Sequence, residues 1–345
     1  MDTRGLGLVM LCTCMRGADV TSFSSWPSSS DPSPTSAHTF ILEPSEGRYV
    51  YGRMAVVQDA LRTLSVLEPG GEDGCKLQQL VPAAQTALSG GCEVAVNAGF
   101  YNASTGQCLG NVVSDGRVVR STGVLNAQFG IRSDGSLVFG YLSEEEVLDQ
   151  RNPFVQLVSG VVWLLRDGHV YINQSLQVES DENQSIKVFR DFADMLSART
   201  AVGHHANGSV VIFQSDGETL HRGMSLWEVA DFLKQNGVIN AINLDGGGSS
   251  SYILNGTLAS YPPDPCVADS RWRCGRPVST VLCVRSRRSN HTQYLSRWSW
   301  LLLVSGCFLL FVVRHLLQAL RPAWRILTRK ISMVLQRVQP GLNQV

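Results

Sequence analysis

From about residue 40 the chain alternates short apolar, β-branched runs with polar breaks, and the breaks share one chemistry. Asp115-Gly116, Asp134-Gly135, Asp167-Gly168, Asn207-Gly208 and Asn255-Gly256 each separate strand-like residues, as in VVS/RVV and YIL/TLA. Asp-Gly and Asn-Gly pairs accept the positive φ values of a two-residue turn whose twist matches its flanking strands. Five hairpins therefore predict a sheet-rich domain. Helical spacing interrupts it at about 54–67, after Ser143, where Glu146 completes a capping box, and at about 226–236. Ser225 and Glu228 form a box for the last, Gly237 stops it, and Leu226, Val229, Ala230 and Leu233 make one apolar stripe. Helices among antiparallel hairpins, without regular β-α alternation, predict an α+β fold: a single sheet-rich domain over 40–284 with a few flanking helices.

The ends follow other patterns. Arg4 and the apolar run after it predict a signal peptide over 1–18, and the Ser/Pro/Thr-rich stretch 19–39 predicts a linker or pro-segment. Residues 298–313, WSWLLLVSGCFLLFVV, carry no charge between Arg297 and Arg314 and predict one C-terminal transmembrane helix. At about 1.5 Å per residue it covers roughly 24 Å, a short span that favours the early secretory pathway. A basic linker, 285–297, precedes it and a basic tail, 314–345, follows. Within the linker, RSRR from Arg285 to Arg288 resembles a proprotein convertase site, and cleavage after Arg288 would shed the domain.

Composition sharpens the compartment. With 29 basic and 29 acidic residues the chain has no net charge, and no basic face for nucleic acid. Of nine cysteines, Cys12, Cys14 and Cys307 lie in apolar stretches. Cys75, Cys92, Cys108, Cys266, Cys274 and Cys283 lack zinc-site spacing and predict up to three disulfides, with the connectivity open. Sequons begin at Asn102, Asn173, Asn183, Asn207, Asn255 and Asn290, against roughly two expected by chance. Cysteines and sequons place the body of the chain in a lumen and the tail in the cytoplasm, because the basic residues flanking the span do not discriminate.

Candidate chemistry collects at strand ends. The run AINLDGGGSS puts Asp245 after a buried strand and before Gly246, Gly247, Gly248 and Ser249. A phosphate loop needs a helix after its glycines, whereas here a strand follows, so the pattern predicts a strand-to-strand turn with bare N–H groups beside one carboxylate. EVAVNAGFYN ends a second strand in Asn97, followed by Gly99, Phe100 and Tyr101. An amide beside aromatic rings suits a sugar, which offers hydroxyls and apolar faces. Arg199 opens a strand whose hairpin partner ends near Asp216, and its guanidinium suits a phosphate.

The stretches NAGFYNASTGQCLGNVVSDG, GVLNAQFGIRSDG, NPFVQLVSGVVWL, SARTAVGH and NAINLDGGGSSSYILNGTLASYP together resemble the phosphodiester glycosidase family over roughly residues 40–285. The resemblance implies a catalytic domain at 40–284 and a Golgi enzyme of the trans-Golgi network, anchored as a single-pass type I protein. It would remove a covering α-N-acetylglucosamine from GlcNAc-phospho-mannose diesters on the high-mannose glycans of lysosomal hydrolases, exposing mannose 6-phosphate. No cofactor or metal is implied, and a homo-oligomer is left open. An EGF-like region typical of such enzymes has no room between Cys283 and Trp298.

A phosphate monoester leaves without strong protonation, so one carboxylate suffices: Asp245 as base or nucleophile. On this reading Arg199 and the glycine N–H groups hold phosphate and Ser249 assists. Asn97, Phe100 and Tyr101 cradle the sugar, and Asp216 and His204 are secondary candidates for an acid or orienting group. Two other readings stay open: a catalytically silent glycan-binding membrane protein, and a phosphodiesterase attacking phosphorus.

Overall fold

A computed structural model describes residues 20–24, 35–180, 186–266 and 268–286 of a first unit, Met1–Arg287. A second unit, Arg288–Val345, is described only at scattered helical positions between 318 and 331. The expected signal peptide, the 298–313 span, Arg287, Arg288, Asn183 and Asn290 lie outside the described residues. Among those described, no helix is long and apolar enough to cross a membrane.

All five Asp-Gly and Asn-Gly pairs turn antiparallel hairpins. Asp115, Asp167 and Asn255 sit at φ 47°, 50° and 49° with glycine following, the backbone that those residue types tolerate best. The strands assemble into antiparallel sheets of six, seven and five strands plus a two-stranded pair. In the seven-stranded sheet the order runs His169–Val170, Trp163–Arg166, Val238–Leu244, Arg199–His205, Val210–Ser215, Arg48–Val57, Thr35–Ser45. In the five-stranded sheet it runs Thr257–Leu258, Tyr252–Leu254, Val94–Asn97, Val281–Val284, Leu64–Leu67.

The period of two along a strand explains how the layers meet. Val202, Ile212 and Ile242 of the seven-stranded sheet pack with Val96 and Leu282 of the five-stranded sheet and Phe129, Phe139 and Val158 of the six-stranded one. Their neighbours Ala201, Val211, Phe213 and Ala241 face the other way, onto Leu226, Val229 and Leu233 of helix Leu226–Gln235 and Ile172 and Leu176 of helix Ile172–Glu179. Helices Leu226–Gln235 and Glu144–Val147 both begin with complete capping boxes, at Ser225 with Glu228 and at Ser143 with Glu146.

Several expectations need correction. The helix expected over 54–67 is the end of strand Arg48–Val57, one helical turn Ala60–Thr63, and strand Leu64–Leu67. Both faces of Arg48–Val57 are buried at its far end, with Ala55 and Val57 in one core and Met54 and Val56 against another. An apolar run of that kind carries no alternation to separate strand from helix. Helices Ala83–Gly90, Ile172–Glu179 and Ile186–Asp194 were not foreseen. The polar stretch before residue 40 is strand Thr35–Ser45, an edge strand paired with Arg48–Val57, and Val20–Ser24 pairs with Ser136–Gly140. Backbone pairing at a sheet edge needs no apolar face, so composition hid both.

The six body cysteines pair as Cys75–Cys108, Cys92–Cys283 and Cys266–Cys274. The asparagines of the four sequons within the described residues, Asn102, Asn173, Asn207 and Asn255, are exposed, while Ser175 and Ser209 of two of them are buried. Cys92–Cys283 closes the longest loop, with a sequence separation of 191. Replacing both cysteines by serine is expected to cost about 2–5 kcal/mol in denaturant unfolding, more than removing Cys266–Cys274, which spans a separation of 8.

Candidate functional site

The site begins where two strands from different sheets stop side by side. Val94–Asn97 and Val238–Leu244 end together, and the N–H of Asp245 donates to the carbonyl of Ala98 at 2.9 Å. Beneath them Asn97 is fully buried. Its Oδ1 accepts from the Thr200 hydroxyl at 2.8 Å and from the Ser251 N–H at 3.1 Å, while its Nδ2 donates to the carbonyl of Asp245. Thr200 Oγ1 lies 3.2 Å from Ser250 Oγ, which also accepts from Gln214 at 3.3 Å. Both ends of the Asn97 amide are thus engaged within the protein, so Asn97 fixes the turn instead of facing a ligand, as the sequence had suggested.

The glycine turn now has physical reasons. Gly247 lies at φ 57°, a left-handed backbone that side chains resist. A Cβ on Gly248 would stand 2.2 Å from a guanidinium nitrogen of Arg276 and 2.3 Å from Asp264. Bare backbone is needed for the chain to turn and for a cation to lie over it. One short 3-10 turn, Gly247–Ser249, follows Asp245 where no helix was expected. The N–H of Gly246 donates to Asp245 Oδ1 at 3.0 Å and that of Gly247 to the Ala198 carbonyl at 2.8 Å, so these two do not form an open anion nest.

Burial pushes the Asp245 carboxyl up to about 6, opposed by the Ser249 hydroxyl, the Gly246 N–H and the charge of Arg276. Arg276 is the cation of the site, and the sequence reading missed it. Its Nε donates to Asp264 at 2.9 Å, and its side chain is about half exposed. Burial works against its charge, but Asp264 and the Tyr101 hydroxyl outweigh it and hold the guanidinium above its ordinary value. Arg276 precedes a two-residue strand, Pro277–Val278, in an irregular stretch with no periodic signal.

Arg199 has a different task. It is almost completely buried, and its guanidinium donates to the carbonyls of Met224, Phe192 and Met195 and lies 5.0 Å from the Phe192 ring centre. Desolvation lowers it to about 10. The expected phosphate ligand is therefore an internal clamp. His204 is also buried: Nδ1 bonds the His205 carbonyl at 2.9 Å, Nε2 meets Asn240 at 3.1 Å, and burial lowers it to about 4. It stands four residues along the strand from Thr200, roughly 13 Å away, which removes it from the site. Asp216 accepts from Arg53 at 2.9 and 3.0 Å, from Gln214 at 3.1 Å and from the Tyr261 N–H at 3.1 Å.

Next to the turn, Phe100 lines a cavity of about 400 Å³ with Asn126, Ser159, Gly160, Glu179 and Phe192. Its wall is tied to the Asp245 strand, because the Val161 N–H donates to the Asn243 carbonyl at 3.0 Å and Asn243 Nδ2 to the Val161 carbonyl at 2.9 Å. Gly99 supports Phe100 from below, donating its N–H to Thr280 Oγ1 at 2.8 Å and accepting from Ser279 at 2.8 Å. Glu179 is buried at this cavity and receives the Val162 N–H at 3.0 and 3.1 Å, which holds Val162 at φ 74°. Burial raises Glu179 to about 7 against those bonds. Nothing in the sequence marks this residue, a carboxylate at the end of an ordinary amphipathic helix. Among the described residues no group of three His, Cys, Asp or Glu side chains is placed to hold a metal ion.

Two raised carboxyls, Asp245 at the turn and Glu179 at the cavity, one cation over bare backbone and an aromatic-walled cavity define a site suited to a sugar bearing an anionic substituent. A sequence profile of the phosphodiester glycosidase family matches residues 90–285, more than half the chain. The chain belongs to that family. It is 56% identical over 273 residues to N-acetylglucosamine-1-phosphodiester alpha-N-acetylglucosaminidase of Mus musculus, covering 76% of this chain and 52% of the relative. It is 57% identical over 242 residues to the Homo sapiens protein of that name, covering 70% and 47%. The chain thus spans about half the length of these relatives. The solved catalytic domain of the zebrafish protein of the same name, described as auto-inhibited by its pro-peptide, matches with TM-score 0.75 at 52% identity. That match covers 78% of this chain and 88% of the solved one.

The raised Asp245 carboxyl has a consequence for stability. The folded state holds its proton more tightly than the unfolded state, so this contribution is fully present below the ordinary value of 3.8 and is lost as pH rises through about 6. Asp245→Asn is expected to melt near wild type at a pH of about 3.5 and higher than wild type at about 7.5. Thermal unfolding across that range checks it, and a difference independent of pH would contradict it.

Proposed function

We propose that the chain hydrolyses the sugar–phosphate linkage of α-N-acetylglucosaminyl phosphodiesters, the covering group of GlcNAc-phospho-mannose on lysosomal enzymes. The observation that carries this reading is the placing of Asp245 at the head of the Gly246–Gly248 turn with Arg276 against Gly248, its charge acting on Asp245, while the wall of the cavity that Phe100 lines is bonded to the Asp245 strand. The cavity takes the N-acetylglucosamine, whose methyl group and ring face suit Phe100 and Phe192. Asp245, ionised above about 6, acts as base for water or as nucleophile at the anomeric carbon. The bond from that carbon to the phosphate oxygen breaks, and the departing monoester carries its charge towards Arg276, which spares the site a strong acid. Tyr101, against Arg276, orients the guanidinium.

The relatives' names support this substrate, and the three disulfides suit an oxidising lumen. A type I Golgi enzyme with the catalytic domain lumenal remains our reading of 298–313. The zebrafish relative's pro-peptide supports a pro-segment before Thr35. Shedding after Arg288 would begin beside a held residue, since Arg285 donates to the Gly90 carbonyl at 2.8 Å and to Ser65 at 3.0 Å.

The test is hydrolysis of GlcNAc-α-phospho-methylmannoside by the detergent-purified full chain in oxygen-18 water. The label is expected in the sugar, with kcat/KM rising with pH through about 6. Asp245→Asn and Arg276→Ala should each lower kcat/KM by on the order of 100-fold. Arg199→Ala should act mainly by destabilising the fold. Label in the phosphate would replace this reading with attack at phosphorus.

A further inference from the structure

A second cleft, of about 380 Å³, lies between strand Arg48–Val57 and the loop after Ser260, outside the residues given a catalytic role. Tyr49, Tyr51 and Tyr261 line it and are 62%, 56% and 57% exposed, a degree unusual for three rings around one cleft. Tyr49, Tyr51 and Arg53 alternate along one strand and therefore share a face. Farther along, that face buries Ala55 and Val57 in the core, so the rings are the part of the sheet face that the core leaves uncovered.

The polar floor is built and rigid. Arg53 and Asp216 pair with side chains only 15% and 8% exposed, the Asp216 N–H donates to the Tyr51 carbonyl at 2.8 Å, and the Tyr261 N–H donates to Asp216 at 3.1 Å. Arg222 adds a second guanidinium at the wall. Rings with planar charged groups of both signs suit a neutral polyol: the rings cover the C–H faces of pyranoses, and the fork of Arg53 and the carboxylate of Asp216 exchange paired bonds with vicinal hydroxyls. A phosphate would want cations without the carboxylate, and an apolar peptide would want neither.

The cleft is also joined to the turn. Asp216 accepts from Gln214, and Gln214 donates to Ser250, five residues beyond Asp245. We propose that this cleft is a subsite for the oligomannose branch that carries the phosphodiester, with Tyr51 and Tyr261 as its stacking rings. The proposal rests on the activity proposed above: it gives the mannose side of the diester a place to lie while the N-acetylglucosamine occupies the cavity beside Phe100.

The experiment compares the purified full chain with Tyr51→Ala and Tyr261→Ala on two diesters, GlcNAc-α-phospho-methylmannoside and the same group on a six-mannose glycan. Each variant is expected to raise KM about tenfold on the oligomannose diester, as for one lost ring contact, and to leave the methylmannoside diester unchanged. Equal effects on both, or none on either, would overturn the subsite. Calorimetric titration of the free six-mannose glycan into each protein reads the cleft without turnover. If wild type hydrolyses neither diester but binds the glycan in a Tyr51-dependent way, the activity fails and the subsite stands. If neither Tyr51→Ala nor Tyr261→Ala changes that binding, or wild type shows none at millimolar glycan, the subsite fails. A loss seen only with intact glycoprotein, and not with its released glycan, would assign the cleft to the polypeptide and overturn the proposal.

Discussion

Everything at this site hangs on one buried amide. Asn97 ends a strand of the five-stranded sheet and reaches Thr200 in the seven-stranded sheet, Ser251 beyond the glycine turn and the carbonyl of Asp245. Its partners are 103, 154 and 148 residues away along the chain. A buried amide that lost one of these bonds would leave a donor or acceptor unsatisfied, at a cost of about 1–3 kcal/mol for each group. The relative placing of the two sheets and the position of the Asp245 turn are thus fixed by the same side chain.

Around that amide the protein separates its two arginines by environment. Arg199 is enclosed and bonded to main-chain carbonyls, which ties the end of helix Ile186–Asp194 to the strand below. Arg276 reaches the surface, paired with Asp264 and touching Tyr101, and so keeps its charge open to solvent. One cation serves the fold and the other the open face. Asp245 lies between these regimes: buried enough to be raised, yet bonded by Ser249 and Gly246 so that its ionised form persists near neutrality.

What the sequence disclosed follows from whether a signal is local. Hairpin turns at Asp-Gly and Asn-Gly pairs and capping boxes at Ser143 and Ser225 depend on two to four adjacent residues and were legible. The strand Arg48–Val57 was not, because core on both faces erases its alternation. That the Asp245 turn and Phe100 follow buried strand ends was legible from glycines and rings at those positions. Arg276 was not, since it reaches Gly248 from an irregular segment and only the third dimension brings them together. Arg199 misled for the converse reason: a conspicuous arginine in a buried strand looks the same in sequence whether it binds a ligand or three carbonyls.

The Cys92–Cys283 bond has a mechanical side. Strand Val281–Val284 closes the described domain and pairs on both edges, with Val94–Asn97 and Leu64–Leu67. Tension applied to the chain beyond Arg285 would peel this strand from its end, one hydrogen bond at a time. Peeling would meet a covalent stop at Cys283 after a single residue, before it reached Thr280, whose hydroxyl receives the Gly99 N–H beneath Phe100. Load entering the chain from beyond Arg285 would thus stop short of the residues that support Phe100.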